Sequence, residues 1–371
     1  MGDCVSPLAV YIHFPYCKSR CPYCDFFRAL KPRELDETRV IEQYRRDIVR
    51  FSELLGKRQV KSVFFGGGTP SILSSEAIGK TLDFLADCFD ILPHAEISLE
   101  ANPNTFDYQK FLAFHQVGIN RLSLGVQALN QNDLKFLGRT HSVNEALQAM
   151  ALAAQTFEKF SIDLIYARPQ QIWEDWVKEI DLALSFGLKH ISLYQLTLEE
   201  NTIFARRGVQ LPDEDIAAQL YTQTVNYLGV KGMERYEVSN FAVNREQQSV
   251  HNLVYWQGGD YIGIGEGAHG RFIYHGKVTA SIDGDIAEQL SAEERAEELL
   301  FMGLRIREGI NDQRFFAACG LQLFEFVNNL AIKRLAELKL LCYDSHNIWL
   351  TDDGFLLLDR IVLELVSHNR Q

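Results

Sequence analysis

Residues 11–27 read YIHFPYCKSRCPYCDFF, an apolar run that turns into three cysteines, Cys17, Cys21 and Cys24, spaced Cys-x3-Cys-x2-Cys. Three thiolates on one tight loop suit a [4Fe-4S] cluster, which needs four ligands and prefers soft sulfur. A loop that supplies three leaves one iron open. S-adenosylmethionine fills such a position by chelation through its amino and carboxylate groups. An electron from the cluster can then split the sulfonium and release a 5′-deoxyadenosyl radical. A zinc site is a competing reading, but zinc prefers four protein ligands and spacings built from paired Cys-x2-Cys units. Chance clustering is the other. The flanking Tyr11, Phe14, Tyr16, Tyr23 and Phe26 are expected to shield a cluster from water.

The chain has 371 residues, enough for one large domain and a smaller one, and its 47% hydrophobic content allows a sizeable core. Net charge is −12 and no long Lys/Arg block appears. Phosphate binding rests on clustered basic residues, so no nucleic-acid partner is expected. Seven cysteines, three of them on one loop, fit a reducing compartment better than a disulfide scaffold. The opening MGDCVSPLAVYIHF lacks the basic and long apolar regions of a signal peptide. No apolar run approaches the ~18–20 residues that cross a bilayer. A cytoplasmic location is expected.

Through the first two thirds, β-rich runs alternate with amphipathic stretches. Strands are expected near Leu8–Phe14, Val60–Phe65, Glu96–Leu99, Arg121–Val126, Ser161–Ile165 and His190–Gln195. Helices are expected over Leu35–Leu55, Glu76–Phe89, Glu145–Thr156 and Trp173–Phe186. Six βα units predict an α/β fold with a parallel sheet and right-handed crossovers. The placement of polar residues favours a partial (β/α)6 TIM-type barrel. The Cys loop follows the first strand and Gly66-Gly67-Gly68-Thr69-Pro70 the second. Glu100, Gln127, Asp163 and Tyr194-Gln195 fall in or at the ends of the next four. Barrel chemistry gathers at the C-terminal ends of strands, so these groups read together as one site. Alone, Glu100 or Gln127 reads equally well as a cap or loop residue. The barrel is assigned to residues 1–225 and an extension to 226–288. Residues 289–371 are read as a winged-helix-like α+β domain. Its candidate recognition segment, Ala331–Leu341, carries only Lys333, Arg334 and Lys339, too little charge to prefer DNA. Cys4, Cys88, Cys319 and Cys342 are expected to pack, Cys88 foremost as a core thiol.

Gly66–Pro70 is a turn without side chains, where backbone groups approach a ligand closely. It lacks the Lys and Ser/Thr of a nucleotide-binding P-loop, so the amino group of S-adenosylmethionine is the better ligand beside a cluster. Glu100 is suited to accept from ribose hydroxyls. Arg139 offers a planar fork for the methionyl carboxylate, or is a plain surface charge. His251 stands among large aromatics in HNLVYW. Neutral imidazole is a good axial ligand for haem iron and aromatic walls suit a porphyrin face. A satisfied structural histidine is the other reading.

Further segments carry a resemblance. With residues 11–27 they are FFGGGTPSIL (64–73), EANPNT (100–105), RLSLGVQALN (121–130), FLGRTHSVNEA (136–146), DLIYARP (163–169), ISLYQLTLEENTIFA (191–205), YEVSNFA (236–242), HNLVYW (251–256) and YIGIGEGAHGR (261–271). Together they resemble the radical SAM family around the oxygen-independent coproporphyrinogen III dehydrogenases, and more closely its HemW-type haem chaperone branch. The resemblance implies that Cys17, Cys21 and Cys24 hold the cluster. It implies that Tyr11, Tyr23, Gly67, Gly68, Thr69, Glu100, Gln127, Arg139 and Asp163 line the S-adenosylmethionine pocket, and that His251 contacts haem. The dehydrogenase branch has a further Cys where this chain has Phe26, which favours the chaperone. The implied function is to bind haem and hand it to apo-haemoproteins, including respiratory enzymes. Peripheral membrane contact through those partners and a homodimer are compatible with this function. The alternative is an oxygen-independent coproporphyrinogen III dehydrogenase, a radical enzyme of haem biosynthesis; an enzyme acting on RNA is a weaker third reading.

Two departures stand out against the family. A Gly-Leu-Pro-Gly-Gln run is replaced by Ala167-Arg168-Pro169-Gln170-Gln171, and a Pro by Glu266. The loss of both glycines is expected to remove positive-φ freedom there. Both changes are expected near the S-adenosylmethionine pocket.

Overall fold

The computed structural model describes residues 6–105 and 108–366. Cys4 lies outside them. Strands and helices alternate as β1 (Leu8–Phe14), α1 (Glu37–Leu55), β2 (Gln59–Gly67), α2 (Ser75–Cys88), β3 (Asp90–Ala101), α3 (Tyr108–Gln116), β4 (Arg121–Gln127), α4 (Val143–Thr156), β5 (Lys159–Tyr166), α5 (Trp173–Leu184) and β6 (His190–Gln195). The six strands pair in parallel and in chain order. This is the α/β partial barrel the sequence predicts. Local signals start the helices where they lie. Ser74 caps α2 by accepting from the amide of Ala77, and Ser142 with Glu145 closes a reciprocal capping box on α4. On α5, Trp176, Ile180 and Ala183 recur at helical spacing and are all buried.

Strand alternation sorts each side chain to the outer core or the lumen. On β1, Val10, Ile12 and Phe14 join the core under α1, whereas Tyr11 and His13 face the lumen. Barrels of this kind commonly fill the lumen with branched aliphatics. Here the lumen holds Ser98, Ser123, Ser161 and Ser192 on successive strands β3–β6, and a cavity of about 560 Å³ remains.

After β6, α6 (Glu214–Val230) leads to β7 (Glu234–Arg235) and β8 (Asn240–Ala242), the latter antiparallel to β6. The chain then forms α7 (Val250–Trp256) and β9 (Tyr261–Ile264), which pairs in parallel with β1. Strands β10 (His269–Tyr274), β11 (Lys277–Ile282) and β12 (Asp285–Gln289) continue that edge antiparallel. One segment thus extends both edges of the barrel sheet, and α7 sits between them against the lumen side of β2.

The C-terminal part has a core of its own, running from Ala296 to Leu365. It comprises α8 (Ala292–Gly303), β13 (Ile310–Asn311), α9 (Asp312–Cys319), α10 (Asn329–Glu337), β14 (Leu341–Tyr343), β15 (Asn347–Leu350) and α11 (Leu358–Val366). The strands form an antiparallel sheet in the order β13-β15-β14, a winged-helix-like arrangement. Arg235 joins it to the barrel extension through an ion pair to Asp352 (2.6 Å), with its guanidinium over the Phe355 ring. Cys88 is half-buried against the main core at the end of α2, so it is a boundary thiol and not a fully interior one. No described helix is long and apolar enough to cross a membrane.

Candidate functional site

The C-terminal ends of the barrel strands open into a crevice of about 330 Å³. It gathers eleven of the thirteen residues singled out from the sequence: Cys17, Cys21, Tyr23, Cys24, Gly67, Gly68, Thr69, Glu100, Gln127, Arg139 and Asp163. The other two, Tyr11 and His251, line the deeper lumen cavity. All three loop cysteines are free thiols. Among the described residues no three His, Cys, Asp or Glu side chains meet closely enough to hold one metal ion. Ligands that each hold a different iron of a cubane have no need to.

The glycine run is shaped by the Cys loop above it. The amide of Gly68 donates to Phe14 O (2.6 Å) and that of Thr69 to Tyr16 O (2.9 Å). A Cβ on Gly68 would lie 2.7 Å from Tyr16 O, and one on Gly67 2.5 Å from the His13 ring. Gly67 also has φ 106°, which side chains disfavour. Thr69 Oγ1 donates to Cys17 Sγ (3.7 Å), and Arg139 Nη1 donates to Cys21 Sγ (3.4 Å). Arg139 is therefore no surface charge: its other nitrogen bonds Asn102 Oδ1 and Gly125 O (2.9 Å). Asn102 in turn donates to Thr69 Oγ1 (3.0 Å). Burial pushes the Cys17 and Cys24 thiols up, while the hydroxyl of Thr69 and the amide of Phe26 favour the respective thiolates.

Two carboxylates face each other across the crevice. Glu100 accepts from the amide of Gly67 (3.1 Å), and Asp163 accepts from Ser123 Oγ (3.1 Å). Burial first, and the nearby Asp163 charge second, push Glu100 up to about 8. Burial raises Asp163 as well, against hydrogen bonds from Ser192 and Ser123. A ligand that brings hydroxyl donors to this pair satisfies oxygens that are otherwise poorly solvated.

The lumen cavity adjoins the crevice along Gly67, Glu100, Ser123, Asp163 and Tyr194, which line both. On its far wall stands His251, buried to 4% exposure. Its Nδ1 bonds Ser62 Oγ (3.2 Å), and its Nε2 has no hydrogen-bond partner among the described residues. Phe64 lies 5.0 Å away ring to ring, with Tyr11 and Tyr255 at 6.2 Å. Burial lowers this imidazole to about 3, so it is neutral at physiological pH.

Of the aromatics flanking the cysteines, Tyr23 and Phe26 line the crevice, whereas strand alternation sends Phe14 into the outer core and Tyr11 into the lumen. Two expectations about the departures from the family need correction. The replaced loop keeps its left-handed conformation without glycine: Ala167 has φ 56° and Gln170 φ 61°. Neither it nor the exposed Glu266 lines the crevice or the lumen cavity. Instead Arg168 is buried and bonded in a fork to Glu179 on α5, whose carboxylate also accepts from the amide of Leu129 (2.6 Å). Tyr194, placed at a strand end from the sequence, lines both the crevice and the lumen cavity. Asn102 is a site residue that sequence reasoning did not single out, although it lies within the quoted EANPNT at a strand end, where the signal was present.

A family model described as the radical SAM superfamily matches residues 11–183, and one described as the HemN C-terminal domain matches residues 290–357. The chain is 36% identical over 393 residues to the Bos taurus protein named "Radical S-adenosyl methionine domain-containing protein 1, mitochondrial", covering 97% of this chain and 87% of that one. It is 38% identical over 269 residues to "Heme chaperone HemW" of Escherichia coli, covering 72% and 71% of the two chains. Among solved structures, coproporphyrinogen III oxidase (HemN) from Escherichia coli shares the fold with a TM-score of 0.82 over 98% of this chain and 91% of that one, at 20% identity. By sequence and by fold, the chain belongs to the radical SAM superfamily, in its HemW-type branch.

Proposed function

We propose that this protein is a haem chaperone that also carries a [4Fe-4S] cluster and S-adenosylmethionine. The donor set fits the cluster: three free thiols on one loop, two of them already facing the hydrogen-bond donors Thr69 and Arg139. Cys17, Cys21 and Cys24 would hold it. Glu100 would accept from ribose hydroxyls, Arg139 would face the methionyl carboxylate, and Tyr23, Gly67, Gly68, Thr69, Gln127 and Asp163 would line the pocket, with Tyr11 behind them. When bound together, the cluster and S-adenosylmethionine supply one-electron cleavage of the sulfonium.

The observation that carries the haem reading is His251. Ser62 fixes one ring nitrogen, the other has no hydrogen-bond partner among the described residues, and the ring is held neutral in an aromatic wall. That is the protonation state and orientation an axial ligand needs. The Escherichia coli relative named a heme chaperone supports a chaperone of this branch. Its acceptors are read as apo-haemoproteins such as respiratory enzymes, met in the cytoplasm or at a membrane face, and the chain as a homodimer. We divide it into a barrel (1–225), an extension bearing His251 (226–288) and the winged-helix-like domain (289–371). The test is transfer: haem-loaded protein is mixed with an apo-haemoprotein, and recovered acceptor activity is followed beside free haem at equal concentration. Transfer faster than from free haem, and lost on His251→Ala, supports the reading. Transfer no faster than from free haem rejects it.

The lumen cavity favours one second reading. It meets the crevice at Glu100 and Asp163, so a substrate there would adjoin the radical-generating side. A coproporphyrinogen III dehydrogenase would need such an arrangement. Anaerobic turnover of coproporphyrinogen with consumption of S-adenosylmethionine would establish it; absence of both would leave the chaperone alone.

A further inference from the structure

A single file of hydrogen bonds crosses the barrel from the crevice to the helix that carries His251. It begins at Asp163, whose register partner on the adjacent strand β6 is Ser192, a hydroxyl that favours the ionised carboxylate. Ser192 and Ser161 meet at 3.3 Å, and Ser161 meets His190 Nδ1 at 2.8 Å. His190 Nε2 lies 2.8 Å from the Tyr236 hydroxyl, which accepts from the backbone N–H of Ser249 (3.1 Å). Ser249 is the N-cap of α7. Every intermediate member is at least nine-tenths buried, and Ser161, Ser192, His190 and Ser249 border the lumen cavity.

A backbone N–H can only donate, and an ionised carboxylate can only accept. With Asp163 ionised, one arrangement joins every link: Ser249 N–H to Tyr236, Tyr236 O–H to His190 Nε2, His190 Nδ1–H to Ser161, Ser161 to Ser192, and Ser192 to Asp163. In that arrangement His190 carries its proton on Nδ1. Burial and the nearby Arg121 hold that ring neutral, which agrees. Aligned hydrogen bonds between buried groups polarise one another. The neighbouring amide offers an internal control. Val250 N–H donates to Glu96 (2.8 Å), and Glu96 pairs with Arg121, outside the file.

We propose that this file couples the crevice to α7, so that a hydrogen-bond donor bound at Asp163 loosens the hold on Ser249 and with it the first turn bearing His251. His190 and Tyr236 are then positioning residues that act through Ser249. The proposal rests on the cofactor reading above only for the identity of the donor, which would be S-adenosylmethionine. By linkage the effect is reciprocal, and haem at His251 would change the affinity of the crevice for its ligand by the same factor.

The test reads backbone amide exchange at Ser249 and Val250. Asp163→Asn weakens the terminal acceptor and is expected to speed exchange of Ser249 about fivefold, the lower end of ordinary coupling, with Val250 unchanged. In a Tyr236→Phe background, which removes one hydroxyl and keeps the ring, the same substitution should have no effect. Should Tyr236→Phe not fold, Ser161→Ala breaks the file in its middle and serves instead. Unchanged exchange in Asp163→Asn, or a response that survives the broken file, overturns the coupling. Adding S-adenosylmethionine to cluster-loaded protein should reproduce the Asp163→Asn response. If it binds without that response, the coupling to the cofactor is refuted; if binding itself is absent, the cofactor reading fails while the ligand-free result still decides the file.

Discussion

Two loops leave the barrel at the ends of their strands, and both turn through positive φ. After β2, Gly66-Gly67-Gly68 keeps its glycines; after β5, Ala167-Arg168-Pro169-Gln170-Gln171 has none. The difference lies in what surrounds them. The first loop is pressed against the Cys loop, where any side chain on Gly68 would strike the Tyr16 carbonyl. The second has only a torsional demand at Ala167 and Gln170. Left-handed torsions cost a non-glycine residue ~1–2 kcal/mol, which a well-bonded loop tolerates. A backbone collision is not tolerated without moving the site. Close approach therefore constrains sequence more tightly than torsion does.

The sharpest break of the second loop is Arg168→Leu, which leaves Glu179 buried and without its cation. Removing one partner of a buried pair costs about 3–5 kcal/mol, and chemical denaturation should show a loss of that size. Adding Glu179→Gln should restore most of it, because the Leu129 amide keeps an acceptor. If the single variant is as stable as wild type, the pair does not anchor the loop.

Next in size is Gly68→Ala in the first loop. Overpacking of this kind costs about 1–3 kcal/mol, but here the displaced part is the segment presenting Cys17. Cluster content after anaerobic reconstitution, measured as bound iron and sulfide, should fall by half or more. Full content would mean that the Cys loop yields easily.

Ala167→Gly and Gln170→Gly are expected to stabilise the protein, each by about 0.5–1 kcal/mol once the added freedom of the unfolded chain is counted. Destabilisation by either would show that the loop relaxes its torsions in solution.

A further effect is in pH. Glu100 beside the first loop binds its proton more tightly folded than unfolded, with a folded value of about 8. The folded state therefore holds the extra proton between the ordinary carboxylate range and about 8, and its contribution to stability is lost as pH rises through that window. The unfolding midpoint should drop by a few degrees from pH 6 to pH 8, and Glu100→Gln should flatten the slope. An equally steep slope in the variant would assign it elsewhere, Glu237 at about 7 being the next candidate.

These loops also show how far the sequence could be read. Alternating periodicity located all six barrel strands, and strand-end logic brought Cys17, Glu100, Gln127 and Asp163 into one crevice. The same period of two, applied to β1, would have sent Phe14 outward and Tyr11 inward, yet proximity in sequence to the cysteines suggested a shield. Missing glycines after β5 suggested lost torsional freedom, because sequence shows which residue is easiest in a torsion and not which torsion is adopted. The link from Asp163 to Ser249 was out of reach altogether. Its members come from β5, β6, the segment between β7 and β8, and the α7 cap, and only three-dimensional register aligns them.

The central claim is that His251 is the haem ligand of a protein whose crevice holds a cluster. An anaerobic haem titration of cluster-reconstituted protein, followed by Soret absorbance beside His251→Ala, tests it most directly. Saturable binding near one haem per chain, lost in the variant, is the predicted result. Saturable binding of equal affinity in the variant would move the ligand elsewhere, and no saturable binding in the wild type would contradict the account.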